Sequence, residues 1–550
     1  MIRAINIVWQ NRFYMNFPDL CLQQMLKPIS KFISWLAIAL ILIVFYSVIT
    51  TEESISATWQ VWATDSMKRI ALDAPPEEIN EIHLYAARGE YESFQIGIRA
   101  NCDRLKVEKI EVSDLRDGDR LISQSNVTLY REHYVNVDKP SPTWRGTTVK
   151  PQGKGWYPDG LIPFVDPQTG KDLVDAEIDA IPFQLERDTN QPIWVDILVP
   201  RTAKAGDYRG TYTVSSDRGE ITGKILLTVW DFKLPLKPSL KSAFLTWKQQ
   251  DKNTYIELLK HKVMPVGHID PADERELIDR WGLTSVRLPF WSGANYQNCS
   301  MKPAPSATEI REAGLQHQLD LMLYVYPTDE IDDCHDLLPS FKEWSQNIHR
   351  AGVKHLAVMS PVRELYDLVD IWTVNPTRYW KSRDTIAEVL RQGKEVWFYN
   401  FFAPGGNAPV WQIDFKPINY RIPPGFINQS LGFTGLLYWR VDLWTDDPWN
   451  NVDTASDPTE SKHYPGEGML IYPGKQVGLE GSVPSMRLKW IREGVEDYEY
   501  IEILKRWGYE DWAKQTVREV AQDMGNWSQD SAVLYAARQK LGRKIDRLAF

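Results

Sequence analysis

The sequence predicts a multidomain protein: an N-terminal transmembrane helix, an antiparallel β-sandwich, then an α/β (β/α)8 TIM barrel with C-terminal helices. Three observations predict it. Residues 32–49 form an uncharged apolar run, residues 58–235 read as short alternating strands broken by turns, and residues 240–550 alternate apolar strand runs with helices. A chain of 550 residues also exceeds what one hydrophobic core usually serves.

The apolar run has 18 residues, just enough to cross a bilayer as a helix. Arg12, Lys27 and Lys31 precede it and Glu52 and Glu53 follow. By the positive-inside rule, segment 1–31 is cytoplasmic and everything beyond about residue 50 is exported. The expected location is therefore a single-pass membrane protein with an extracytoplasmic catalytic part. If the segment is instead a cleaved signal, at the mediocre Ile55-Ser56-Ala57 site or with synthesis starting at Met25, the protein is secreted.

The sandwich expected at 58–235 rests on runs such as IHLYAA, SFQIGIRA, NVTLYREHYV, PIWVDILVP, GDYRGTYTVSS and GKILLTVWDF. Their period-two alternation, with turns such as Arg116-Asp117-Gly118-Asp119 between them, is that of half-buried antiparallel strands. Lys233 to Pro238 reads as the linker, because its two prolines block further strand pairing.

The barrel expected at 240–550 rests on eight apolar runs, at 242–247, 263–268, 284–291, 321–326, 355–360, 369–374, 395–400 and 435–444. Helices are expected between several of them, at 306–316, 338–350 and 382–391. In the second, Phe341, Trp344 and Ile348 recur at helical spacing, as on a helix covering a parallel sheet. Two further helices, 485–507 and 510–541, follow the last strand. A doubly wound open sheet is the alternative, but no glycine-rich phosphate turn follows the first strand, so no nucleotide is expected.

Composition narrows the partners. Net charge is −10 with no long basic run, which argues against nucleic acid. The chain holds 23 Trp and 24 Tyr, rings that stack on sugar faces and equally fill large cores. Four cysteines (Cys21, Cys102, Cys299, Cys334) lack zinc-ligand spacing, so no metal or other cofactor is expected. Three lie beyond the apolar run, which allows one disulfide and leaves its pairing open.

Catalytic groups of a barrel sit at the C-terminal ends of its strands. Strand four ends Tyr326-Pro327-Thr328-Asp329-Glu330, placing two adjacent carboxylates at the rim. Acidic residues there also cap the next helix; Asp332, Asp333 and Asp336 suit that cap or solvent role better. Many barrel glycosidases pair a strand-four acid with a strand-seven carboxylate roughly 5 Å away. Here strand seven ends Trp397-Phe398-Tyr399-Asn400, without a carboxylate. Two neighbouring acids instead suit a reaction in which the substrate's own 2-acetamido oxygen attacks the anomeric carbon. Trp291, Trp397, Tyr399, Tyr438, Trp439, Asp442 and Trp444 are the candidate substrate-binding residues. Asp442 is also the rim carboxylate for a conventional two-carboxylate mechanism with Glu330. Glu467, between two glycines after strand eight, is a further candidate contact.

The segment from about Leu321 to Tyr500 resembles the catalytic domain of family 123 glycoside hydrolases and the wider domain of unknown function 4091 group. The resemblance is carried by Asp329-Glu330, Val369-Asp370-Ile371-Trp372, Glu395-Val396-Trp397-Phe398-Tyr399, Gly435-Leu436-Leu437-Tyr438-Trp439, Asp447-Pro448-Trp449 and the helix from Ser485 to Tyr500. Ala86 to Gln95 resembles the sandwich that precedes such barrels. The resemblance implies β-N-acetylgalactosaminidase-type chemistry through an oxazoline, on a glycan or glycoconjugate. By position, Asp329 is then the residue orienting the acetamido group and Glu330 the general acid/base. Ile331 stands where relatives usually have proline; it is the feature that keeps a non-catalytic glycan-binding or envelope-assembly role open. Arg487, Arg492, Glu496 and Asp497 are spaced as a structural ion-pair network along their helix.

Overall fold

The structure, a computed structural model, describes residues 58–402 and 405–549. Thr58 to Phe550 forms one compact unit. Its first part is two packed sheets. One has the order Trp59–Asp65, Tyr91–Ala100, Asn190–Leu198, Val127–Val137, Gly155–Pro163, all antiparallel. The other runs Glu81–Arg88, Gly219–Lys233, Gly206–Ser216, Arg104–Val112, Phe183–Glu186. Inward residues of both, such as Phe94, Ile96, Ile193, Val214, Ile225 and Leu227, make the core between them. That core follows from the alternation seen in the sequence. One pair departs from the antiparallel expectation: Glu81–Arg88 lies parallel to Gly219–Lys233.

The second part has eight parallel strands: Lys241–Leu245, Pro265–Val266, Ser285–Arg287, Met322–Val325, Lys354–Val358, Ile371–Val374, Glu395–Asn400 and Gly435–Tyr438. Each lies within one of the eight apolar runs or one residue outside it. In spatial order they run 2-1-8-7-6-5-4-3, so the sheet curls almost shut but strands two and three do not pair. The expected closed barrel is therefore corrected to an open one. Strand two contributes only Pro265 and Val266, and proline has no N–H to offer a ladder.

The sandwich and the barrel share a tight junction. Helix Met486–Arg506 is buried along nearly its whole length. Its Trp490 meets Trp194 of the sandwich edge-on, at 6.3 Å between centroids. Its charges were expected to pair along the helix; Arg487 and Arg492 reach across to the sandwich instead, and Asp497 pairs with Arg421 and Arg538. Arg487 forks onto Asp159 with two bonds of 2.7 Å, and Arg492 onto Asp196 with two of 2.9 Å. Buried charges need such partners. The 233–238 linker is no free tether either, since Leu234 is fully buried and bonds back to Arg88. The last expected helix, 510–541, is two: Glu510–Val520 and Ser531–Leu548.

Among the described residues, no helix is long and apolar enough to cross a membrane. The span expected at 32–49, with its cytoplasmic segment 1–31, lies outside the described residues. For the described residues the expected class is corrected to a β-sandwich joined to a nearly closed eight-stranded barrel, with no membrane-spanning helix among them.

Candidate active site

Beyond strand four the chain continues extended to Asp329, which forms isolated bridges to Asn295 on one side and Val358 on the other. Its N–H donates to the Ala294 carbonyl (3.1 Å), and the Glu330 N–H donates to the Val358 carbonyl (2.8 Å). The two carboxylates are thus gripped between the loop after strand three and the end of strand five. Glu330 has φ of 55°, in the left-handed region that costs a non-glycine residue roughly 1–2 kcal/mol. Such strain persists only where the surroundings over-determine it. Here Ile331 helps: its side chain is buried in the main core with Leu337, Phe341 and Met359.

The two acids have different surroundings. Asp329 accepts a 2.7 Å hydrogen bond from the Tyr326 hydroxyl. Burial, with a smaller push from Glu330, raises its pKa to about 6 despite that bond and the charge of Arg378. Glu330 accepts from Arg378 Nη1 at 2.8 Å, and Arg378 Nε donates at 2.8 Å to Asp332. Asp332 also accepts the Ser360 N–H. It is therefore neither a cap nor a solvent group: burial opposes its ionisation, yet Arg378 and these bonds hold its carboxyl below the ordinary value. Arg378 comes from the helix Pro376–Lys381 after strand six, whose N-cap Asn375 accepts the Arg378 N–H.

Asp329 lines a cleft of 810 Å³ that opens at the unpaired seam between strands two and three. Trp247, Trp291, Tyr326, Asn295, Arg287 and His268 line it too. Trp247 is 59% exposed there. Trp291 meets the Tyr326 ring edge-on at 6.2 Å. A large, mostly apolar concavity with a few convergent polar groups and a perturbed carboxyl is the default form of a substrate site.

The other sequence-predicted residues divide. Tyr399 is buried in the barrel interior close enough to Asp329 and Glu330 that, after burial, their charges raise its phenol pKa further. Its ring stacks on Phe401 at 5.4 Å. Trp397 is corrected to a core residue: fully buried, it donates to Glu395 at the strand's beginning, and a side chain at Gly435 would overlap its ring. Tyr438, also fully buried, accepts the Gly468 N–H at 2.9 Å. Trp439 donates to Glu467 at 2.9 Å and stacks on Phe402 at 6.0 Å. Glu467 is itself buried and also accepts from Gln412. Trp444 donates to the Ile471 carbonyl.

Asp442 is not free at the rim. Its Oδ2 accepts the N–H groups of Trp247, Lys248 and Gln249 at 2.8, 2.6 and 2.9 Å, and its Oδ1 accepts from Arg440. It shapes the loop that carries Trp247. A carboxylate committed to four donors is a poor nucleophile, which removes the geometric basis for pairing it with Glu330.

Tyr326, Arg378 and Trp247 are the site residues that sequence reasoning passed over. Tyr326 had a signal, three residues before Asp329 on the same strand end, and so did Trp247, the last residue of the first barrel run; Arg378 had none. Near the site the one disulfide among the described residues joins Cys299 to Cys334, stapling the loop after strand three to the loop after strand four.

Comparison with known proteins bears on what this arrangement is. Residues 311–504 match the family model described as glycoside hydrolase 123, catalytic domain, and residues 73–216 match the glycoside hydrolase 123 N-terminal domain. Among solved structures, a family 123 glycoside hydrolase from Clostridium perfringens, studied for glycolipid glycan hydrolysis, superposes with a TM-score of 0.64. The two are 14% identical, over 90% of this chain and 99% of that one. A β-glucuronidase from Parabacteroides merdae gives a TM-score of 0.28 at 11% identity, covering 80% of this chain and 50% of the other. Curated proteins give no match. With both family models matched in order over more than half of its length, on a sandwich and barrel whose cleft is lined by Asp329 with Glu330 next in the chain, the chain belongs to family 123 of the glycoside hydrolases.

Proposed function

We propose that this glycoside hydrolase is a retaining β-N-acetylhexosaminidase, galactosaminidase-like, that works through the acetamido group of its substrate. The observation that carries the reading is the asymmetry of the acids at the barrel rim. Asp329 borders the cleft with Glu330 next to it in the chain, Asp442 is consumed by four donors, and strand seven ends without a carboxylate.

In this reading the Asp329 carboxylate accepts the acetamido N–H and aims the carbonyl oxygen at the anomeric carbon. As that oxygen forms its bond, Glu330 delivers a proton to the glycosidic oxygen and the C–O bond breaks, leaving an oxazolinium paired with Asp329. Water then adds to the anomeric carbon, Glu330 takes its proton, and the ring reopens to the acetamide. Net, one water is consumed and configuration is retained. Preorganised charge beside the growing oxazolinium is the main source of rate. Tyr326, bonded to Asp329, fixes which carboxylate oxygen faces the sugar.

An extracytoplasmic place of action belongs to the same proposal. Its support is the Cys299–Cys334 bridge beside the site, since structural disulfides persist mainly outside the reducing cytosol.

The test is turnover of a panel of aryl glycosides by the purified protein. Aryl 2-acetamido-2-deoxy-β-hexosides should be cleaved and their 2-hydroxy counterparts should not. Comparable cleavage of both would remove the acetamido requirement.

A further inference from the structure

The cleft holds a permanent cation that no carboxylate among the described residues pairs with. Arg287 ends barrel strand three, and its guanidinium carbon lies 5.7 Å from the centroid of the Tyr326 ring. The neighbouring arginines of this barrel end are committed: Arg378 to Glu330 and Asp332, and Arg440 to Asp442. Among the described residues no carboxylate pairs with Arg287. Of the residues lining the cleft, Asp329 is the sole carboxylate; the other charged or chargeable side chains are Arg287, His268 and His317. His317 is turned to Glu274, at 2.5 Å.

Tyr326 ties this cation to the candidate chemistry. Its ring meets Arg287, and its hydroxyl donates to Asp329. One phenol therefore carries a guanidinium against its ring and a carboxylate on its hydroxyl. A half-buried arginine without an internal partner, in a cleft walled by Trp247 and Trp291, offers a planar fork suited to a carboxylate or an oxyanion. The net charge of the protein is −10, so its overall field does not recruit anions. Selection for one must come from this pocket.

Resting on the acetamido-assisted reading, we propose that the substrate is an acidic glycan, whose carboxylate or sulfate ester is bound by Arg287 while the 2-acetamido sugar is held by Asp329. Tyr326 is the shared wall between the two groups. Arg287 is thus a specificity residue and takes no part in the proton transfers.

The experiment compares full-length wild-type protein with Arg287→Gln on three matched 2-acetamido disaccharides: neutral, uronate-bearing and sulfated. Wild type should favour one anionic member over the neutral one by roughly 10–100-fold in kcat/KM, the worth of a charged hydrogen bond. Arg287→Gln should erase that preference, lowering kcat/KM on the anionic substrate by that factor more than on the neutral one. The arm that responds identifies the anion as carboxylate or sulfate. Wild type favouring the neutral sugar, or an equal loss on all three substrates, overturns the proposal. Calorimetric binding of the same disaccharides to Glu330→Gln, with and without Arg287→Gln, is read in parallel without turnover. Absence of turnover on every 2-acetamido sugar would defeat the acetamido reading alone, because preferential binding of an anionic sugar that needs Arg287 would still be seen. Equal binding of neutral and anionic sugars defeats the Arg287 assignment.

Discussion

Arg378 reaches Glu330 with a 2.8 Å hydrogen bond from 48 residues further along the chain, while the same guanidinium holds Asp332 at 2.8 Å. One cation from the helix after strand six thereby fixes a strained glutamate on the loop after strand four. The pair is half-buried, with side-chain exposures of 15% and 16%. Arg378→Met should leave the fold intact and lower kcat on the order of 10²-fold, as expected when a reacting group is misplaced by about an ångström. Arg378→Lys should restore only part of it, because an ammonium cannot serve both carboxylates in one plane. Circular dichroism and kcat measured together check this; unchanged kcat in Arg378→Met would show that Glu330 needs no such positioning.

Asp329 and Asp442 should respond in opposite ways to the same change. Asp329→Asn removes a charge-assisted bond expected to strengthen in the transition state, and should cut turnover by about 10²–10³-fold with little effect on melting temperature. Asp442→Ala strips three backbone N–H groups and Arg440 of their acceptor, at roughly 1–3 kcal/mol for each donor left buried. It should lower the melting temperature first, with activity following the fold. A fluorosugar labelling Asp442 covalently would reverse the assignment.

The Tyr326–Asp329 bond predicts a pH signature. Asp329 must be ionised to accept the acetamido N–H, and its pKa stands at about 6. The rate kcat/KM should therefore fall as pH drops through about 6. The Tyr326 bond favours the ionised form, so Tyr326→Phe should raise the Asp329 pKa and move this acidic limb to higher pH. The sign for folding is separate. A carboxyl raised by burial favours the folded state at pH below its unfolded value, and that contribution is lost as pH rises through about 6. Stability should accordingly gain slightly as pH falls across that window, where activity declines. A limb that moves to lower pH in Tyr326→Phe would contradict the role given to this bond.

The Cys299–Cys334 bridge closes a loop with a sequence separation of 35 residues. Chain-entropy arguments put its worth at about 3–4 kcal/mol. Because it staples the loop carrying Trp291 to the loop following Glu330, a Cys299→Ser/Cys334→Ser variant should lose both melting temperature and kcat. Reductant should do the same to the wild type and nothing to the double variant. Wild-type activity unaffected by full reduction would show the loops to be held by other contacts.

Much of this molecule is written locally in its chain. Parallel strands buried on both faces must be continuous apolar runs, so all eight barrel strands could be read before any contact was known. Inward alternation located the sandwich strands for the same kind of reason, and Asp329 and Glu330 were visible because both lie at a single strand end. The depth of a side chain along its strand was legible too, had it been used: Trp397 is two residues, roughly 7 Å, from the strand beginning at Glu395, and so sits low in the barrel, not at its rim.

What only the tertiary structure decided is pairing across distance. No local pattern says that Arg378 serves Glu330, that Asp442 is filled by three backbone donors, or that Arg487 and Arg492 cross to Asp159 and Asp196 and weld helix to sandwich. The open seam, too, appears only when strands two and three are placed in space and found not to meet, with Arg287 left uncompensated beside it. Secondary structure follows from each residue's own burial period, whereas a charge's role depends on which opposite charge the fold brings within about 3 Å, and that partner can lie anywhere in the chain.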